Sequence, residues 1–235
     1  MENVWNSLKF DVEKNKTWID LSFPIEEGMM TYPRYWHPEV KISQLGKIES
    51  EGRESRLISF GTHTGTHIDA PQHFVKGDAS IDKIPITTCV GPALLISFQE
   101  TGVQEVTLSH LQKKIGDDVP QKLIIRFGWS KEYGKDHYYK RYPYFTEEAC
   151  RWLAQKGVHL VGYDTPSPDN PSHTRESSVD SPNHKLLLGQ YIYLLEYLSN
   201  LDKLKEGWIY LIALPLKIKN GDGSPARVIA CSYEK

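Results

Sequence analysis

The chain is poor in cysteine, in charge imbalance and in long apolar runs. Its 235 residues hold three cysteines, Cys89, Cys150 and Cys231, far apart and without a C-x-x-C pair. An odd number at such spacings argues against a disulfide scaffold and predicts thiols in a reducing compartment, the cytoplasm. Lys and Arg number 28 against 30 Asp and Glu, a net charge of −2. That balance argues against a nucleic-acid face and against a polybasic membrane anchor. The longest apolar run, Trp208–Leu216, is broken at Pro215 and falls far short of the roughly 20 residues of a membrane helix, so it reads as a buried strand. Met1–Lys16 carries Glu2, Lys9, Asp11, Glu13, Lys14 and Lys16 and no apolar core, which does not fit a signal peptide. No G-x-S-x-G elbow supports a serine hydrolase, and no G-x-G-x-x-G or Walker loop supports nucleotide use. Internal repeats and low-complexity tracts are also missing.

What is present fits an ordinary globular chain, with 39% hydrophobic and 25% charged residues. We expect one α/β domain over residues 1–235, with a mixed β-sheet and flanking helices. Strand-like segments fall at Thr17–Phe23, Glu39–Leu45, Ser55–Phe60, Ala93–Phe98, Lys122–Phe127, Val158–Tyr163, Gln190–Tyr197, Trp208–Leu214 and Arg227–Ser232. Helices are fewer. Thr146 is a candidate N-cap, followed by Glu147 and Glu148 in the first turn and by Gly157 beyond the end. A second helix is expected over Leu108–Ile115 between Thr107 and Gly116. A third is expected over Pro182–Leu188, capped by Ser181 and stopped by Gly189.

The informative stretch is His63-Thr64-Gly65-Thr66-His67-Ile68-Asp69-Ala70-Pro71-Gln72-His73. Three of nine histidines and an aspartate fall within eleven residues. Imidazole and carboxylate are the ligands of a borderline cation such as Zn²⁺. On a straight strand His63 and His67 would stand roughly 13 Å apart, too far for one ion. A helix is disfavoured by Gly61, Thr62, Thr64, Gly65, Thr66 and Pro71. The solution is a turn at Gly65, where positive φ is free, so that His63, His67 and Asp69 close on one site. A second region holds His184 and Glu196. A carboxylate in the apolar run 191–196 is costly unless it is paired, metal-bound or at a strand end that reaches solvent. The block Asp164–Asp169 reads equally as a site loop or as turn chemistry. Tyr32, Tyr35, Trp36, Trp129 and Tyr133 lie near loop signals, where a pocket lining and core packing are both open.

The motif H-x-G-T-H-x-D-x-P-x-H resembles the signature of the cyclase-type metal-dependent hydrolases, the family of bacterial kynurenine formamidase and isatin hydrolase. Asp20-Leu21-Ser22 with Tyr32-Pro33, Arg126–Trp129, Gly162–Asp169, Asp180–His184 and Leu195–Leu201 resemble its other blocks. The resemblance implies a swivelling β/β/α-type fold in homodimers or homotetramers. It implies Zn²⁺ or Mn²⁺, one or two ions per chain, with His63, His67 and Asp69 on the first and with His184 and Glu196 completing the centre. It makes His73 the acid/base of amide C–N hydrolysis, on an N-formyl arylamine or a cyclic amide. Where relatives tend to carry Trp-Pro-Gly, this chain has Tyr32-Pro33-Arg34, in the segment that shapes the pocket; Tyr32 and Trp36 are the candidate substrate contacts. Two other readings stand beside it: a metal-binding protein without catalysis, and a member that catalyses dehydration or cyclisation. The expected partner is a small molecule, not a nucleic acid or a membrane.

Overall fold

Leu123, Ile124 and Ile125 are all buried, so the strand that carries them has no solvent face, and the layers of the molecule follow from that. The structure, a computed structural model, describes residues 17–232; the expectation for Met1–Lys16 lies outside the described residues. In chain order the elements are β1 (Ile19–Asp20), β2 (Lys41–Gly46), α1 (Ile48–Glu51), β3 (Ser55–Ser59), β4 (His67–Asp69), α2 (Ile86–Cys89), β5 (Val90–Ser97), β6 (Glu105–Val106), α3 (Leu108–Ile115), β7 (Lys122–Arg126), β8 (Tyr144–Phe145), α4 (Glu147–Gln155), β9 (Leu160–Tyr163), α5 (Pro182–Gly189), β10 (Tyr193–Glu196), β11 (Gly207–Pro215) and β12 (Gly223–Ser232).

The main sheet runs β12-β11-β5-β7-β9-β10-β4, and β4 pairs back onto β12, so the sheet closes into a barrel-like ring. β1 lies against the far end of β12. Neighbours from β5 to β10 are parallel, and the remaining pairs in the ring are antiparallel. The mixed sheet agrees with the sequence pattern. Its closure does not follow from that pattern, because β4 has only three residues, too few to show alternation.

Alternate residues fill the ring. Ile68, Leu95, Ile124, Leu195, Leu211 and Val228 share one core cluster. Their strand neighbours Leu123, Ile125, Val161 and Leu194 belong to a second cluster with Leu111 of α3, Leu153 of α4 and Leu187 of α5. Helices therefore cover the outside of the parallel strands, which explains why those strands read as continuous apolar runs. Inside, Gly162 would place a Cβ 2.7 Å from Ile124 Cδ1, so a large side chain fills the space of a missing one.

The caps of α3 and α4 agree with the sequence. Thr107 and His110 form a reciprocal capping box, and Thr146 accepts from the Ala149 N–H at 3.2 Å. At α5 the expectation is corrected. Ser181 sits at φ 46° and makes no cap bond; its hydroxyl donates to Asp180 instead. The N–H groups of Asn183 and His184 are taken by Asp169, fourteen and fifteen residues upstream. Strand β10 is also shorter than expected at its start, because Tyr191 turns the chain at φ 58°. All three cysteines are buried as thiols. Among the described residues no helix is long and apolar enough to cross a membrane.

Candidate metal centre

The site grows from the seam between β4 and β10. Register pairs Asp69 with Leu194, Ile68 with Leu195 and His67 with Glu196. Ile68 and Leu195 point into the ring, so His67, Asp69 and Glu196 share the outer face. Gly65, at φ 59°, makes the turn that the motif calls for. It brings His63 back to β4, where its Nδ1 lies 2.7 Å from Asp69 Oδ1. α5 delivers His184 from the other side, its Nε2 3.6 Å from Asp69 Oδ2 and 3.3 Å from Glu196 Oε1.

Each donor is held by a second group. His67 Nδ1–H donates to the Gly65 carbonyl at 2.8 Å, which leaves Nε2 facing Asp69 and Glu196. His184 Nδ1 bonds Asp169 at 2.6 Å, which turns its Nε2 to the cluster. The Tyr163 hydroxyl donates to Glu196 at 2.8 Å. His63 Nε2 bonds Asp222 Oδ2 at 2.8 Å. Such outer partners fix the tautomer and orientation of metal-binding imidazoles. Asp169 lies in the Asp164–Asp169 block that reads equally as turn chemistry. Asp222 sits in Asn220-Gly221-Asp222-Gly223, which reads only as a hairpin turn.

The donor set suits a divalent cation. Ligand atoms of His63, His67 and Asp69 lie within 4.8 Å of one another, and so do those of Asp69, His184 and Glu196. Asp69 is common to both groups. Burial opposes ionisation of Asp69, yet the charges of His63 and His67 outweigh it and hold the carboxyl well below its usual range. Burial and the neighbouring Asp69 push Glu196 up. Burial would lower His63, but Asp69 and Asp222 push it up to about 10. His184 is likewise raised, against burial, by its bonds to Asp169, Asp69 and Glu196. Protons on the imidazoles balance a crowd of buried carboxylates, which is the role a divalent ion takes over when it displaces them.

The cluster floors a cavity of about 260 Å³. His73, on the single turn Pro71–His73, stacks on His63 at 3.8 Å. Burial, then the neighbouring His63, lowers its pKa. His37 also borders the cavity and is lowered to about 4 by burial and by the surrounding histidines. Tyr32 and Trp36 line the walls. Trp129 and Tyr133 instead pack away from it, bonded to the Tyr138 and Met30 carbonyls. Two loops meet at the mouth, where Arg34 pairs with Glu176 at 2.7 Å and Arg175 lies over the Trp36 ring.

Comparison with known proteins places this geometry. The family described as "Putative cyclase" matches residues 19–170. Kynurenine formamidase of Bacillus cereus is 30% identical over 220 residues, covering 92% of this chain and 98% of that protein. Isatin hydrolase A from Labrenzia aggregata superposes with a TM-score of 0.81 at 29% identity, over 93% of this chain and 94% of the other. A potential metal-dependent hydrolase with cyclase activity superposes with a TM-score of 0.75 at 29% identity, over 93% and 99%.

Proposed function

We propose that this chain, which belongs to the cyclase family, is a metal-dependent hydrolase that cleaves an amide C–N bond in an N-formyl arylamine or a cyclic amide. The observation that carries this reading is the convergence of His63, His67, Asp69, His184 and Glu196 at the floor of a pocket that His73 also enters. A divalent ion, Zn²⁺ or Mn²⁺, would when bound supply Lewis acidity and lower the pKa of water. His63, His67 and Asp69 would hold the first ion; His184 and Glu196, with Asp69 shared, would hold a second. His73 takes a proton from the attacking water and returns it to the departing nitrogen, a role open to an imidazole near neutral pH. Tyr32 and Trp36 give an aromatic substrate two faces to pack on. The pocket speaks against a purely structural metal site, which would have closed coordination.

We further propose the swivelling β/β/α type for the closed sheet with helices outside, and the cytoplasm as the protein's location. A homodimer or homotetramer is supported by the β2–β3 hairpin. All five residues of β3 are exposed, and Leu45, Ile48, Leu57 and Ile58 stand on this arm in solvent. Light scattering on the purified protein tests the assembly. The activity is tested by metal analysis, followed by a screen of formamides, lactams and lactones before and after chelation. Metal-restored hydrolysis of an amide is the expected result; full activity in demetallated protein overturns the reading.

A further inference from the structure

Among the described residues, Asp222 is the one carboxylate placed between a candidate metal ligand and the candidate acid/base. Its Oδ2 lies 2.8 Å from His63 Nε2 and 3.4 Å from His73 Nδ1. The other oxygen, Oδ1, accepts from the Thr62 hydroxyl at 2.9 Å. The residue is also fixed through its backbone, because its carbonyl accepts the Ala70 N–H at 2.9 Å. The preceding Gly221 carbonyl accepts the Ile81 N–H at 2.8 Å. Three separate tethers therefore aim one oxygen at two stacked imidazoles. A carboxylate accepts and cannot donate, so each imidazole nitrogen that faces it carries a proton. For His63, whose Nδ1 faces the Asp69 carboxylate and holds a proton there until a cation displaces it, that leaves Nδ1 as the ligand atom. For His73 it leaves Nε2, which bonds no protein group among the described residues.

We propose that Asp222 is a positioning residue for proton transfer: it holds His73 in the tautomer protonated at Nδ1, so that Nε2 alone is presented to the substrate, while the same oxygen braces His63. The inference rests on the amide-hydrolase reading. During attack His73 Nε2 takes a proton from water, and the imidazolium carries a proton on each nitrogen beside the Asp222 carboxylate. Collapse of the tetrahedral carbon breaks the C–N bond. The Nε2 proton passes to the departing nitrogen, which restores the starting tautomer. The 3.4 Å separation is long for a hydrogen bond, as acid–base contacts often are before substrate is bound.

The test is Asp222→Asn, which keeps the shape and removes the charge, with Asp222→Glu as the conservative variant. Imidazole ¹⁵N shifts of the zinc-loaded protein at pH 8 should report His73 protonated at Nδ1 in the wild type and a shift toward Nε2–H in Asp222→Asn. At saturating metal, kcat for an amide should fall about 10–100-fold with KM little changed. For an activated formate ester, whose phenolate departs without a proton, only the attack step draws on His73, so the fall should be smaller than for the amide. Asp222→Glu should restore part of the amide rate. Equal losses on amide and ester, or an unchanged His73 tautomer, would overturn the proposal. If the wild type hydrolyses no amide, the hydrolase reading fails while the ¹⁵N shifts still decide what Asp222 does to His73.

Discussion

Replacing Gly223 by alanine tests whether His63 is held in place by the closure of the ring. Gly223 pairs with Asp69 across the β12–β4 seam. A Cβ there would stand 2.7 Å from His63 Cε1 and 2.9 Å from the Ile68 carbonyl oxygen. The two contacts are relieved separately: the carbonyl belongs to β4 and yields only if the seam opens, and the imidazole has to move as well. To reach an ordinary contact of 3.4 Å from 2.7 Å it must retreat about 0.7 Å. That exceeds the roughly 0.5 Å within which a metal or catalytic constellation keeps its geometry. It also pulls Nδ1 from Asp69 Oδ1, at 2.7 Å, and Nε2 from Asp222. We expect a loss of about 1–3 kcal/mol from overpacking and, at about 2–4 °C per kcal/mol for a chain of this size, a visible fall in Tm. Metal retained after dialysis should drop, and kcat/KM should fall on the order of 10²-fold. The control is Gly162→Ala, which meets Ile124 Cδ1 at 2.7 Å inside the ring and should cost stability without lowering metal affinity. A Gly223→Ala protein with wild-type metal content and turnover would refute the reasoning.

Other substitutions separate the roles within the site. His73→Ala should leave metal content nearly unchanged and slow turnover by about 10²–10⁴-fold; metal lost in proportion to activity would make His73 a ligand. His184→Ala should lower occupancy from two ions to one per chain in mass spectrometry under native conditions. One ion in the wild type, unaffected by the substitution, would leave His184 as a positioning or substrate-contacting residue. Asp164 offers a pH test away from the cluster. Burial pushes its carboxyl up to about 6, against the N–H bonds it accepts from Phe127 and Gly128. The folded state then holds this proton more tightly than the unfolded chain, so the stabilising contribution is full at acid pH and fades as pH rises through about 6. Urea unfolding should show Asp164→Asn gaining on the wild type by about 2 kcal/mol between pH 4 and pH 7; a constant difference would contradict the assignment.

By itself the sequence determined the parts of the site that are close in the chain. His63, His67 and Asp69 needed only the Gly65 turn to meet, and glycine at φ 59° makes it. Thr107 and Thr146 cap their helices through bonds that span three residues, so those helices were also legible. Glu196 was ambiguous, because helices on the outside of the ring make both faces of β10 apolar and erase the alternation that would show which way it points. Register with His67 gives it its direction, and register is a property of two strands far apart in sequence. The roles of Asp169 and Asp222 were not legible because the partners of each lie outside its own turn. Asp169 caps α5 and turns His184 across a long loop, displacing the local Ser181 that occupies the N-cap position. Asp222 reaches His63 and His73 only because β12 closes the ring against β4. A turn residue and a site carboxylate have the same local chemistry, and only a contact across some 150 residues, made by strand pairing, tells them apart.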